Sequence, residues 1–114
     1  MLSNTIRYQL FLLLFFIKDI EIMKNLDERN LIYNKAYEFL LNKNYTKAFD
    51  LFKKSCDLGH TSACSSLGYM YYYRIGTKAN YYKARKLSEQ TCKDNNSKGC
   101  FILGKSYYYG HALK

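Results

Sequence analysis

The chain has 114 residues, of which 48% are hydrophobic and 24% charged, and its net charge is +9. That balance excludes a disordered polar tail and sets a single domain as the expectation. It contains no Pro and no Trp but 13 Tyr, so the main breaker of helices is missing. A basic surplus favours anionic partners. Here the 18 Lys and Arg are spread along the chain and form no block or nucleic-acid motif. They read as a solvated lysine surface, with no specific nucleic-acid partner.

Met1 to Gln9 is polar with one cation, Arg7, and Leu10 to Ile17 is an unbroken apolar run closed by Lys18 and Asp19. Eight apolar residues make about 12 Å of helix, far short of the roughly 30 Å hydrocarbon core. The length suits the apolar part of an export signal, although Asp19 to Lys24 offers no small-residue cleavage site. Residues 1–23 are therefore expected to be an export signal or N-terminal anchor, with no membrane contact beyond that segment. The four cysteines are Cys56, Cys64, Cys92 and Cys100. An even number in a small exported chain suggests disulfides.

From there on the pattern is helical. Five helices are expected, at about 27–41, 45–57, 62–74, 81–93 and 97–109, with turns at Asn42 and Asn44, Gly59, Gly76 with Asn80, and Asn95 with Asn96. One apolar stripe is Cys64, Leu67, Gly68 and Tyr71, at helical spacing, and it recurs as Cys100, Leu103, Gly104 and Tyr107. A second is Ala48, Leu51, Phe52 and Ser55, recurring as Ala84, Leu87, Ser88 and Thr91. The cysteines show the same period, since Cys92 follows Cys56, and Cys100 follows Cys64, by 36 residues. Repeats of that length signal stacked helical hairpins. Gly costs about 1 kcal/mol against Ala inside a helix. Gly68 and Gly104 are thus expected to admit a neighbouring helix, with Ala48 and Ala84 as the small partners.

The pattern Ala63-Cys64-x-x-Leu67-Gly68-x-x-Tyr71, then Gly76, Lys83-Ala84 and Cys92, resembles the Sel1-like repeat. Paired cysteines eight apart, recurring with the repeat, resemble its disulfide-bearing branch, the Helicobacter cysteine-rich proteins. The resemblance covers about Tyr33 to Leu113. It implies an all-α fold, a right-handed α/α solenoid of tetratricopeptide-like hairpins, filling residues 27–114 with about two and a half repeats. It also implies export to a secreted or periplasmic location, and Cys56–Cys64 and Cys92–Cys100 bridges. Members of that branch are named for binding β-lactams and carry a β-lactamase label.

The residues themselves allow these implications to be weighed. Cys56 ends one expected helix and Cys64 begins the next, so the intervening turn can bring them within disulfide reach. Zinc and free thiols are the alternatives. Seven intervening residues suit zinc poorly, because its ligand gaps usually span two to four residues. His60 and His111 are too few and too far apart for a catalytic metal site, so both are expected at the surface, with no metal and no cofactor. No Ser is followed by Lys three residues later, and Ser-Asp-Asn and Lys-Thr-Gly are absent. A β-lactamase activity therefore rests on resemblance alone.

Tyr71 and Tyr107 are expected in the core. Tyr69 and Tyr73, with Lys105 and Tyr109 in the next repeat, point away from that stripe and are the candidate ligand-binding residues. Such a Tyr and Lys surface suits a protein or peptide ligand, because Tyr offers contact area at low entropic cost. The expectation is an exported interaction module. The alternative, from the family name, is weak binding or hydrolysis of a β-lactam or a cell-wall-like small molecule. A third reading is a basic module for an anionic polymer. The last helix has no successor to cover Phe101, Ile102, Leu103 and Tyr107, so self-association through that face is also expected.

Overall fold

The structure is a computed structural model and describes residues 3–110. Among these residues it is all helical: α1 (Asn4–Leu41), α2 (Tyr45–Asp57), α3 (Thr61–Tyr73), α4 (Tyr81–Lys93) and α5 (Ser97–Tyr108). Each helix packs on the next, and α3 also touches α5. This is the neighbour-only packing of a helical-hairpin solenoid. The second half of α1 with α2, then α3 with α4, form two hairpins, and α5 opens a third.

The helix starts have a common chemistry. Ser3, Asn44, His60, Asn80 and Asn96 each accept a hydrogen bond from the backbone N–H three residues on. That satisfies one of the donors every helix leaves orphaned at its start. The ends repeat as well. Gly59 and Asn95 both take the left-handed conformation, at φ 93° and 62°, and the following N–H donates to Ser55 O and Thr91 O respectively. Those two joints are 36 residues apart, so the period appears in the backbone as well as in the side chains.

The expected helix boundaries hold to about a residue, except the first. A helix start near residue 27 is wrong, because α1 begins at Asn4 and continues unbroken for 38 residues. The physical reason is the absence of any Gly or Pro between Asn4 and Leu41. Leu10 to Ile17 lies in the free half of this helix, exposed on all sides. Packing begins near Arg29, whose guanidinium donates to the Gly59 carbonyl at 3.0 Å and whose own carbonyl accepts from Ser55 Oγ at 2.8 Å. Among the described residues no helix is long and apolar enough to cross a membrane.

Two clusters make the core. Ala36, Ala48, Phe52, Ala63 and Met70 form the first, with Tyr33 and Tyr37 edge-on to the Phe52 ring at 5.7 Å. Leu67, Tyr71, Tyr72, Ala84 and Ile102 form the second. Two core expectations need correction. Ile102 is fully buried, because it lies one helical step round from Leu103 and faces back into the second cluster. Tyr107 is 54% exposed, whereas its counterpart Tyr71 is 7% exposed. Tyr71 is covered by Phe49, whose ring stands edge-on at 5.2 Å, and no described helix follows α5 to cover Tyr107.

The glycines divide the same way. A methyl group on Gly68 would lie 3.4 Å from Leu87 Cβ and 3.5 Å from the Ala84 carbonyl, so the expected close approach is there. On Gly104 it would meet nothing within 4 Å, so that glycine admits no neighbour. The tightest approach is at Gly99, where a Cβ would collide with Thr91 Oγ1 and sit 2.9 Å from Thr91 Cβ.

His60 is not a bare surface residue either. Its Nδ1 caps α3 by accepting the Ala63 N–H at 3.1 Å, and its ring stacks on Tyr33 at 4.3 Å. Burial, and secondarily the nearby Arg29 charge, hold its pKa below the ordinary 6.5. His111 lies outside the described residues.

Gly104→Ala should stabilise the protein by up to about 1 kcal/mol, since it removes the helix penalty into open space. Gly99→Ala should instead cost about 1–3 kcal/mol by overpacking against Thr91. Urea unfolding of the two variants should show midpoints moved in opposite directions.

The His60 cap predicts a pH dependence. The folded state holds this imidazole neutral, so below the unfolded value of 6.5 the unfolded chain binds more protons. The stability it contributes is complete above that value and is lost as pH falls toward the lowered folded value. Denaturation midpoints between about pH 7 and pH 5 should therefore decline. His60→Asn, which keeps a capping acceptor, should flatten that decline while His60→Ala should lower stability by about 1 kcal/mol at neutral pH.

Candidate functional site

The cysteines sit at the joints between hairpins. Cys56, near the end of α2, is bonded to Cys64 on the first turn of α3, and Cys92 on α4 is bonded to Cys100 on α5, with Cα atoms 4.6 and 4.5 Å apart. None of the four is free. The turn geometry already described brings each pair together: the chain reverses at Gly59 or Asn95, and the next helix starts antiparallel to the last. Among the described residues no group of His, Cys, Asp and Glu could hold a metal ion.

The four expected ligand-binding residues converge on one face of α3 and α5. Tyr69 and Tyr73 are one helical turn apart, with ring centroids at 4.6 Å. Lys105 reaches from α5 so that Nζ lies 5.6 Å from the Tyr73 ring and 5.9 Å from the Tyr109 ring. Its pKa is raised, chiefly by the hydrogen bond with Tyr73, while burial works against that. Tyr72 turns inward and is 8% exposed, and its edge contact at 4.9 Å fixes the Tyr73 ring from behind.

Two members of this face were not foreseen. Phe101 lies under the Lys105 ammonium at 5.3 Å, and Lys98 places Nζ 5.8 Å from the Tyr69 ring. The stripe pattern could have flagged Phe101, which is four residues before Lys105 on one helix. Lys98 could not be found that way, because its contact to Tyr69 crosses between helices. The result is a patch of aromatic rings with two ammonium groups held over them, an arrangement that attracts cation to ring quadrupole. The one ion pair among the described residues, Arg85 with Glu89 at 3.6 Å, is on α4.

The serines are mostly committed to the backbone. Ser55, Ser65, Ser88 and Ser106 are buried, and each hydroxyl donates to a main-chain carbonyl. A serine used this way satisfies its own buried hydroxyl. Ser66 differs, since its Oγ accepts from Lys98 Nζ at 3.4 Å, yet it is only 5% exposed.

Comparison with known families agrees with the repeat. A family model described as Sel1 repeat matches residues 32–60, 61–96 and 97–114. The three matches start on the second half of α1, on α3 and on α5, so each begins at the first helix of a hairpin. Comparison with curated proteins finds no match. Sel1 repeats are generally protein-interaction modules. A period of 36, hairpins stacked by nearest neighbours and a family match over most of the length lead to one conclusion: this chain belongs to the Sel1 repeat family.

Proposed function

We propose that the protein is an exported, disulfide-stapled interaction module of the cysteine-rich branch of Sel1 repeats. In this reading it binds a protein or peptide ligand through Tyr69, Tyr73, Lys105 and Tyr109. The observation that carries it is the convergence of those side chains, from two successive hairpins, on one partly exposed aromatic and cationic face. Both bridges support a secreted or periplasmic location, because such disulfides persist in oxidising compartments. The apolar run Leu10 to Ile17, which is exposed along its length among the described residues, supports residues 1–23 as a signal or anchor with the repeat domain following.

Peptides selected from a random display library on the oxidised protein should test this reading. Binding should weaken at least about ten-fold in Tyr73→Ala and in Lys105→Ala, whose side chains are partly solvent-facing, with thermal unfolding little changed. Selected peptides indifferent to both changes would refute the assignment.

One contact favours the β-lactam alternative, the Lys98 to Ser66 hydrogen bond, because a lysine beside a serine is one way to activate that nucleophile. Against it, the ammonium donates rather than accepts, and Ser66 lies at 5% exposure within α3, where a substrate carbonyl has no approach. The purified protein should therefore leave nitrocefin intact. Turnover that disappears in Ser66→Ala would establish the enzyme instead.

A further inference from the structure

A second surface lies between α2 and α4, across α3. It is a groove of about 280 Å³ with Leu67, Tyr71 and Leu87 as its floor and Lys53, Lys83 and Lys86 around its rim. Leu67 and Tyr71 are nearly buried, at 4% and 7% exposure, and the three lysines are exposed. Lys83 holds Nζ 5.5 Å from the Tyr71 ring, and Lys86 holds its own 5.6 Å from Tyr82. No described carboxylate forms an ion pair with any of the three.

Packing does not require this charge. The repeat places Glu89 where Lys53 would recur, and Asp50 where Lys86 would stand one repeat earlier. The floor, in contrast, follows the repeat, with Leu51 before Leu87 and Leu103 after Leu67. The hairpin therefore specifies the apolar floor and also Lys83, which stands one repeat after Lys47, whereas Lys53 and Lys86 are particular to this one groove.

We propose that the groove binds an acidic peptide segment, with one apolar side chain on Leu67 and Leu87 and flanking carboxylates on Lys53, Lys83 and Lys86. Charge complementarity selects the anion, and the floor selects the peptide. A phosphate backbone would meet the lysines but leave the apolar floor unused, whereas an apolar pocket with a few placed polar groups is the usual form of a side-chain site. This surface is distinct from the Tyr73 and Lys105 face, so the two stand or fall separately.

The test is fluorescence anisotropy with the oxidised full chain and a fluorescein-labelled Glu-Glu-Leu-Phe-Glu-Glu peptide. Saturable, salt-sensitive binding is expected, weakened about ten-fold or more by Lys53→Glu with Lys86→Asp. Lys35→Glu with Lys93→Asp, the same charge change outside the groove, should alter it less than about two-fold. In the unaltered protein, Leu67 and Leu87 methyl resonances should shift on peptide addition, a readout independent of any variant. Equal loss in both double variants, equal binding of hexaglutamate, unshifted methyls or no saturation would overturn the proposal. So would Lys53- and Lys86-dependent binding of phosphatidylglycerol vesicles or single-stranded RNA in preference to the peptide.

Discussion

The joint between one hairpin and the next carries this fold. A solenoid has no central core, so its stability is close to a sum of hairpins and the interfaces that couple them. Both disulfides lie across those couplings, Cys56–Cys64 between the first and second hairpins and Cys92–Cys100 between the second and the start of the third. Closing so short a loop contributes about 2–3 kcal/mol in the chain-entropy picture. The same two joints hold a left-handed residue, a turn hydrogen bond spanning five residues and a side-chain cap within a few residues. Covalent and non-covalent restraints therefore act on the same angle between hairpins.

That restraint explains why small residues recur at the crossing points. Ala48, Ala63 and Ala84 are fully buried, and Gly99 meets Thr91 closely enough to exclude any side chain. With helices this close, larger residues collect on either side of each crossing. Phe52 with Tyr33 and Tyr37, and Ile102 with Leu67 and Tyr71, are those fillings. The abundance of tyrosine follows in part from the same geometry. A tyrosine can bury its ring at the edge of a thin two-layer fold while its hydroxyl stays near water.

Both surfaces proposed for binding depend on this rigid spacing. The Tyr73 and Lys105 face is assembled from first helices one repeat apart, and the lysine-rimmed groove from the α3 and α4 hairpin completed by Lys53 of α2. Neither is complete within a single hairpin. A change in the hairpin angle would separate Lys105 from Tyr73 and open the groove over Leu67. In the proposed reading, placing the staples at the joints serves recognition as well as stability, by holding preorganised side chains in register.

Local chemistry and periodicity were enough to read the architecture. The 36-residue recurrence of Cys, Leu-Gly and Tyr marks the hairpins, and the Asn residues that cap α2, α4 and α5 mark their beginnings. The spacing of Tyr69 and Tyr73 was legible too, but not that Tyr69 packs partly buried against the second cluster while Tyr73 is exposed. Contacts that cross helices were not legible. Periodicity treats Tyr107 as a copy of Tyr71 and Gly104 as a copy of Gly68, yet one of each pair is covered and the other faces open space. His60 stands where the next repeat has Asn96, and only its stacking on Tyr33 and its bond to Ala63 make it a cap. The chain alone determined which residues are equivalent from repeat to repeat; only the tertiary structure decided which of those equivalents has a neighbour, because coverage depends on the helix packed alongside and not on the residue's own place in the repeat.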